Sequence, residues 1–238
     1  MNAPRADSAG AMTDLLTYAI GDVHGCADLL DALLERIEAH RAGRPHRLVF
    51  LGDYIDRGPD SAGVVRTVRR LHWSDPEAVT CLLGNHEAML LACLQTPGAA
   101  DHWLRNGGIE TLASYGLDAI EDFPGDVLDW IETLPSVHAD ARRWYVHAGF
   151  RPGCTPPDPD LQNRIWIREP FLSEDHDFGR HVVHGHTPRL SGAPEVRRHR
   201  TNLDTGAVYG GALTAGVFTD RQGPAVEFIA VPARRYAE

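Results

Sequence analysis

Three apolar segments in the first part of the chain each run directly into glycine and a group of polar side chains. Apolar runs of this length with turn residues behind them predict buried strands, and parallel strands bring their carboxyl ends to one edge of a sheet. Open α/β sheets keep their binding sites at that edge. The pattern therefore predicts an α/β layer with a polar site. The three junctions are Leu15–Ile20 into Gly21–Gly25, Leu48–Leu51 into Gly52–Gly58, and Val79–Leu83 into Gly84–Glu87.

Helical spacing of apolar residues follows each junction. Asp28 is expected to cap the first helix, and Pro59 with Asp60 to open the second. The strand and helix alternation predicts βαβ crossovers. The predicted helices run from Asp28 to about Ala39, from about Ser61 to Leu71, and onward from near His86.

The remainder of the chain is expected to complete one domain over residues 15–238, behind a flexible extension at residues 1–14. Residues 96–134 carry several glycine turns between short helical patterns and predict a helical cap inserted over the sheet. Strands are predicted again at Arg143–Val146 and Arg180–Val183, with a proline-rich loop at 151–160. Two last strands, Ala212–Phe218 and Ala225–Val231, suggest hairpins of a second sheet. Together these elements predict a β-sandwich with outer helices.

Composition narrows the class of protein. The chain has 238 residues, 43% of them apolar, and a net charge of −10. This acidic balance argues against a nucleic-acid-binding protein, which would show a basic face. The four cysteines form no Cys-x-x-Cys pair and are expected to be reduced thiols. No apolar run is long enough to span a bilayer, and the first residues lack the layout of a signal peptide. We therefore expect a cytoplasmic protein without a membrane partner.

Six polar residues lie at or just beyond the ends of predicted strands. Any one of them alone fits an ordinary hydrogen-bonded turn, but a shared edge holding all six would gather carboxylates and imidazoles at high cost without cations. Carboxylate, amide and imidazole donors suit Mn, Fe, Zn or Co, and two divalent cations are predicted. The six are Asp22, His24, Asp53, Asn85, His147 and His186.

The motifs GDVHG, GDYIDRG, GNHE, VHAG and HGHT, in this order, resemble the calcineurin-like metallophosphoesterase superfamily. More narrowly they resemble its phosphoprotein phosphatase branch, which includes lambda-phage and bacterial Ser/Thr phosphatases and symmetrical diadenosine tetraphosphate hydrolases. The resemblance spans residues 17–218 and implies a four-layer α/β/β/α sandwich. It also implies that Asp53 bridges two metals. Asp22 and His24 would complete the first metal site, and Asn85, His147 and His186 the second.

The resemblance implies roles for further residues. A hydroxide bridging the two metals would attack phosphorus in line, and His86 would protonate the departing oxygen while Asp56 orients its imidazole. Arg57 and Arg168 resemble the phosphate clamp, since a guanidinium fork fits two phosphoryl oxygens. Asn85 would also contact substrate. Asn106 resembles a cap residue lining the cleft, although a helix-ending turn explains it equally well.

Three substrate hypotheses follow. The favoured one is a serine/threonine protein phosphatase, because the short tail, Trp166-Ile167-Arg168 and Asp204-Thr205-Gly206 are typical of small bacterial phosphatases. The alternative is a symmetrical dinucleoside polyphosphate hydrolase, which would need stacking aromatics and a wider basic groove. A phosphate-binding module without catalysis is the third, and retention of His86 argues against it. The predicted cap has Arg105 as its one arginine, and its aromatic residues include Trp103, Tyr115, Phe123 and Trp130.

Overall fold

The computed structural model describes residues 15–96 and 98–233; the extension predicted at residues 1–14 and the turn residue Pro97 lie outside the described residues. Within these described residues, ten strands form two five-stranded sheets with spatial orders β10-β9-β1-β2-β3 and β4-β5-β6-β8-β7. The strands are β1 (Leu16–Ile20), β2 (His46–Phe50), β3 (Val79–Cys81), β4 (Val137–Ala139), β5 (Arg143–Val146), β6 (His181–His184), β7 (Glu195–Val196), β8 (Arg200–Asn202), β9 (Ala212–Phe218) and β10 (Glu227–Pro232).

Helices occupy the connections, as the apolar spacing predicts. A wide π-type turn at Leu104–Gly108 joins two of them, and short 3-10 turns lie at Ile120–Asp122 and Ala207–Tyr209. None of the helices among the described residues has the length and apolar character needed to cross a membrane. They are α1 (Ala27–Arg41), α2 (Ser61–Ser74), α3 (Asn85–Gln95), α4 (Ala99–Trp103), α5 (Ile109–Tyr115), α6 (Gly125–Glu132) and α7 (Leu161–Trp166).

The helix starts show one correct and one wrong capping prediction. Asp60 caps α2, because its side chain accepts the Gly63 backbone N–H at 2.7 Å. Asp28 does not cap α1: the cap position is Cys26, which makes no side-chain capping bond, and Asp28 lies in the first turn. A carboxylate there still interacts favourably with the positive end of the helix dipole.

The C-terminal strands belong to the first sheet, so the prediction that they form hairpins of the second sheet is wrong. β9 pairs antiparallel with β1, with Ala19 opposite Gly216, and β10 extends the same sheet beyond β9. The second sheet comes instead from residues 137–202, including β4, which the sequence pattern did not reveal. Strand pairing is non-local, so the apolar pattern of β9 identifies a strand without identifying its partner.

The two sheets pack face to face, as in the predicted sandwich. Ala19, Val49 and Leu51 from the first sheet meet Tyr145 and Val183 from the second in one buried cluster. The outer face of the first sheet is covered by helices and holds the largest cluster of buried apolar residues. The outer face of the second sheet packs against a smaller cluster that includes Phe150, Ile167 and Phe171. The architecture is therefore the four-layer α/β/β/α arrangement, with a thinner layer on the second sheet.

Strand direction explains where polar residues gather. β1, β2 and β3 are linked by parallel pairing, and so are β5, β6 and β8. Parallel strands end at the same edge, so the loops that follow them converge there.

Candidate metal centre

The six predicted ligands all lie in loops or helix starts at this edge, and all are buried. His147 is completely buried and Asp53 is 2% exposed, and the other four side chains are at most 6% exposed. Burying carboxylates and imidazoles together is costly unless positive charge compensates for it. The arrangement therefore needs a physical explanation.

Asp53 lies between two compact groups of donor atoms. In one group it meets His24 and His86, and in the other His147 and His186, with the ligand atoms of each group within 4.8 Å of one another. Its Oδ2 lies 3.4 Å from His24 Nε2, and its Oδ1 lies 3.4 Å from His147 Nε2. One carboxylate is thus shared by two donor clusters.

Hydrogen bonds on the far side of two imidazoles direct their lone pairs inward. His147 Nδ1 lies 2.9 Å from the Leu51 carbonyl and His186 Nε2 lies 3.1 Å from the Trp166 carbonyl, so each of these nitrogens carries the proton. The opposite nitrogens, His147 Nε2 and His186 Nδ1, then face the Asn85 Oδ1 oxygen at 2.8 and 2.9 Å. Three acceptors converging on one point require a cation or an added proton.

Electrostatics supports the same requirement for positive charge. Burial alone would lower the pKa of His147, but the Asp53 carboxylate beside it outweighs burial and raises the pKa to about 10. Burial lowers the pKa of His24 to about 3, which leaves that imidazole neutral and available as a ligand. Carboxylate, amide oxygen and neutral imidazole form a donor set suited to first-row divalent ions. The residues present fit two such cations.

Asp22 occupies a different position from the rest. Its carboxylate accepts the His186 backbone N–H at 3.0 and 3.1 Å and belongs to neither compact donor group of the described residues. Burial, followed by the nearby Asp204 charge, raises the pKa of Asp22 well above its ordinary value. Its role as a metal ligand stays a prediction.

Backbone strain is concentrated at this site. Apart from Ala42, the described non-glycine residues with positive φ are all predicted site residues. Such conformations cost free energy outside glycine and persist where the surrounding structure imposes them. The five are His24 (44°), Asp53 (53°), Asp56 (75°), Arg57 (70°) and His186 (67°).

Glycine is required where two carboxylates press against the backbone. A Cβ at Gly84 would lie 2.2 Å from an Asp53 oxygen, and a Cβ at Gly185 would lie 2.0 Å from an Asp22 oxygen. Either contact would displace the carboxylate. The glycines of the GNHE and HGHT motifs therefore make room for the acidic side chains.

His86 lies in the first donor group but is not one of the six proposed ligands, and it forms a buried pair with Asp56. His86 Nδ1 lies 2.6 Å from Asp56 Oδ2, and both side chains are almost completely buried. Burial disfavours charge on each, so it raises the pKa of Asp56 and lowers the pKa of His86 to about 4. When the pair is neutral overall, one proton lies between the two groups and another lies on His86 Nε2, whichever partner formally holds the first. The pair can then donate a proton.

The two predicted clamp arginines flank different ligands. Arg57 donates from Nη1 to His24 Nε2 at 2.7 Å. Arg168 is exposed, and its charge acts on His186. The pKa of His186 is lowered to about 3, mainly by burial and next by the charge of His147. The Trp166 ring also contacts His186 edge-on at 5.9 Å. Arg57 therefore contacts the first donor group, and the Arg168 charge is near enough to act on the second.

Asn106 and Asp204 each form a hydrogen bond to backbone in their own segment. The Asn106 side chain donates to the His102 carbonyl at 2.8 Å within the segment predicted as a cap, and its contact with substrate stays a prediction. Both ring nitrogens of His186 have other partners, Asn85 Oδ1 and the Trp166 carbonyl, so Asp204 does not orient that imidazole. Asp204 instead accepts the Gly206 N–H at 3.1 Å.

Sequence reasoning missed a buried carboxylate that organises the site loop. Glu87 accepts backbone N–H groups from Asp53 at 3.0 Å, Tyr54 at 2.8 Å and Gly84 at 3.1 Å. Burial, together with the Asp53 charge, raises the pKa of Glu87 to about 8. The signal was its place at the third helical position after Gly84, where glutamate reaches back to the cap.

The partners of Asp56 were missed as well. Trp103 Nε1 donates to the Asp56 carboxylate at 2.9 and 3.1 Å, and Thr111 Oγ1 donates at 2.7 Å. Both donors come from the segment predicted as a cap, about fifty residues along the chain. No local pattern marks such long-range contacts.

Comparison with known proteins identifies the family. The family model of the calcineurin-like phosphoesterases matches residues 15–211. Serine/threonine-protein phosphatase 1 of Salmonella typhimurium is 32% identical over 206 residues, covering 83% of this chain and 89% of the relative. The symmetrical bis(5'-nucleosyl)-tetraphosphatase of Janthinobacterium sp. is 33% identical over 276 residues, covering 87% of this chain and 94% of the relative.

Other matches are partial or concern the fold. The symmetrical bis(5'-nucleosyl)-tetraphosphatase of Dechloromonas aromatica is 38% identical over 141 residues, which is 59% of this chain. That match spans 46% of the relative's own length. A protein serine/threonine phosphatase from Saccharomyces cerevisiae has a similar structure, with a TM-score of 0.64 and 15% identity over 96% of this chain and 83% of that one. This likeness concerns the fold.

Proposed function

The chain belongs to the calcineurin-like phosphoesterase family, in its phosphoprotein phosphatase branch, and we propose that it is a metal-dependent serine/threonine protein phosphatase. The observation that carries the proposal is the sharing of Asp53 between two donor groups, next to the His86–Asp56 pair. Such an arrangement serves the hydrolysis of a phosphoester, in which charge on phosphoryl oxygens must be neutralised and a leaving oxygen protonated.

Two divalent cations, which we propose to be manganese, would be held by the six ligands and would neutralise phosphoryl charge and acidify a water molecule. The chain's own residues do the rest. His86 Nε2–H delivers a proton to the departing oxygen, and Asp56 holds the imidazole in the orientation for this transfer. Arg57 and Arg168 bind phosphoryl oxygens from the two sides of the site, and Asn85 contributes to positioning.

The cap supports a phosphoprotein substrate over a dinucleotide. Of the four aromatic candidates for stacking, Trp103, Phe123 and Trp130 are at most 5% exposed, and Tyr115 is half-buried. Arg105 lies 3.5 Å from Asp101, which partly neutralises the cap's arginine. A base would find little to stack on in this segment, whereas a phosphoserine side chain needs only the metal centre and the clamp.

A second candidate function, hydrolysis of a symmetrical dinucleoside tetraphosphate, has two specific supports. One is the Janthinobacterium relative, whose match covers 87% of this chain and 94% of the relative. The other is a pair of exposed aromatic residues outside the cap. Tyr209 is 52% exposed and lies 5.7 Å from the Arg57 guanidinium, while Trp166 is 37% exposed against His186. Rings in these positions could stack on bases.

The test is manganese-dependent turnover of a phosphoserine peptide and of diadenosine tetraphosphate by the same preparation. Peptide turnover that is lost in His86→Asn and Asp22→Asn supports the phosphatase. Efficient dinucleotide cleavage with a silent peptide would overturn it in favour of the second candidate, and Trp166→Ala and Tyr209→Ala should then raise KM for the dinucleotide. If neither substrate reacts with metal bound, the chain is a phosphate-binding module.

The state of the cysteines supports a proposal about the cellular compartment. Cys26, Cys81, Cys93 and Cys154 are all unpaired. Free thiols are typical of a reducing compartment, so we propose that the protein is cytoplasmic.

A further inference from the structure

A groove away from the metal centre has the features of a ligand site. It has a volume of about 670 Å³ and lies between α2 and the helices α5 and α6. Its walls are mainly apolar, and the ring of Trp73, 62% exposed, forms part of them. Small-molecule sites typically have this size and combine apolar walls with a few polar groups.

Two buried polar atoms in the groove wall have no hydrogen-bond partner. They are Nε of Arg69, a residue that is 8% exposed, and the hydroxyl oxygen of Tyr115, and neither has a partner in the described part of the chain. A buried donor without a partner costs free energy that an incoming acceptor would recover. Arg69 Nε–H can only donate, and the Tyr115 hydroxyl can donate as well as accept, so one acceptor could satisfy both atoms.

Arg69 is already fixed in orientation. Its Nη2 donates to the Asp126 carboxylate at 2.7 Å and to the Asp126 carbonyl at 2.9 Å. Its guanidinium carbon lies 4.4 Å from the centre of the Trp73 ring. A guanidinium held in this way loses little side-chain entropy when a ligand binds.

The charge of the groove is positive although the protein as a whole is acidic. Arg66, Arg69 and Arg70 line it, and none of the described residues that line it is acidic. Arg66 and Arg70 are exposed and have no ion-pair partner among residues 15–96 and 98–233. The groove therefore offers arginine donors for an anion beside an aromatic face for a flat apolar body.

We propose that this groove binds a small aromatic anion, with its ring on Trp73 and its anionic group on Arg66, Arg69 and the Tyr115 hydroxyl. Arginine forms strong charge-assisted bonds to oxyanions, and aromatic rings pack on tryptophan. The site is separate from the metal centre and takes no part in the proposed hydrolysis.

Titration calorimetry of the manganese-loaded protein tests the proposal with naphthalene-2-sulfonate, an aryl anion without a phosphoester bond. One probe should bind per chain. Methanesulfonate, which lacks the ring, and 2-naphthalenemethanol, which lacks the charge, should each bind at least about tenfold more weakly. Equal binding of the neutral ring would overturn the proposal, because the arginines would then contribute nothing.

Variants locate the site without disturbing the fold. Arg66→Gln and Trp73→Ala change exposed side chains and should each weaken probe binding about tenfold. Tyr115→Phe removes an unpartnered hydroxyl, so it should weaken binding about threefold while leaving the melting temperature unchanged or higher. A structural role for the hydroxyl would instead lower the melting temperature.

Two controls complete the design. Arg105→Gln removes an exposed arginine elsewhere in the cap region and should leave probe affinity within about twofold. Asp53→Asn alters the proposed metal centre and should also leave it unchanged. Loss of probe binding in Asp53→Asn, or full binding in both Arg66→Gln and Trp73→Ala, would contradict the proposed location.

Discussion

The buried polar groups on the two sides of Asp53 differ in how their hydrogen-bonding needs are met. On the His86 side, the Asp56 carboxylate receives hydrogen bonds from Trp103 and Thr111 in addition to its contact with His86. The protein alone supplies the donors that this buried carboxylate needs. Nothing further is required to hold it.

On the other side, acceptors outnumber donors. His147 and His186 direct lone pairs at the Asn85 oxygen, and Asp53 Oδ1 lies nearby. This half is complete only with added positive charge. We therefore propose that the fold alone preorganises the His86 half, whereas the half with the proposed ligands depends on cations.

The largest effect is expected from a substitution that removes the shared carboxylate of Asp53. Asp53→Asn should lower kcat/KM about 1,000-fold or more, because one change removes a charged ligand from both donor groups. The measurement is manganese-dependent turnover of 4-nitrophenyl phosphate. A loss below about tenfold would contradict the shared role of Asp53.

The second largest effect is expected from a substitution in the His86–Asp56 pair. His86→Asn should lower kcat about 100-fold or more on phenyl phosphate, whose leaving group needs a proton. The loss should be much smaller on 4-nitrophenyl phosphate, whose leaving oxygen departs readily as an anion. Equal losses on the two esters would show that His86 does not act as the acid.

A smaller effect is expected from a substitution that removes the Trp103 hydrogen bond to Asp56. Trp103→Phe keeps a buried ring but removes the Nε1–H donor to Asp56, so we expect kcat to fall about tenfold. The fall should largely disappear in a His86→Asn background, because Trp103 acts through the pair. Additive losses in the double variant would argue for a general effect on folding instead.

The ligand half of this comparison was visible in the sequence, whereas the support for Asp56 was not. Asp22, His24, Asp53 and Asn85 follow apolar strands directly, so strand direction alone predicts that they share an edge. Trp103 and Thr111 reach Asp56 from about fifty residues away, and their roles depend on tertiary packing that no local pattern encodes.

The fold was predictable to a similar degree. Apolar spacing indicated β1 to β3, β5, β6 and their helices, with ends within a few residues. The sheet membership of β9 was not predictable, because a strand buried along its whole length has no alternation that favours one neighbour over another. The strand at Val137–Ala139 and the helix at Leu161–Trp166 are too short for periodicity to show.

The smallest effect is expected at Asp140, a carboxylate away from the candidate metal centre. Groups of the protein supply the hydrogen bonds that this carboxylate accepts. Asp140 accepts hydrogen bonds from the Arg142 and Arg143 N–H groups at 2.8 Å and from the Tyr145 hydroxyl at 2.9 Å. Burial alone would raise the pKa of Asp140, but these bonds and the Arg143 guanidinium outweigh it and lower the pKa. Asp140→Asn should therefore reduce the free energy of unfolding by about 1–2 kcal/mol and leave kcat within about twofold.

The pH dependence of stability provides the matching check. Because the pKa of Asp140 is lower in the folded state, its contribution is present above the unfolded pKa and is lost as pH falls through the folded value. Denaturant unfolding at neutral and acidic pH should show the wild type and Asp140→Asn converging at low pH. A constant gap between them would mean that the carboxylate charge is not the source of the stabilisation.

The central claim, that Asp53 is shared by two cations, is tested most directly by counting bound manganese. Native mass spectrometry with elemental analysis should find two manganese ions per chain in the wild type and in His86→Asn, and at most one in Asp53→Asn. A single ion in the wild type, or two ions retained in Asp53→Asn, would contradict the account.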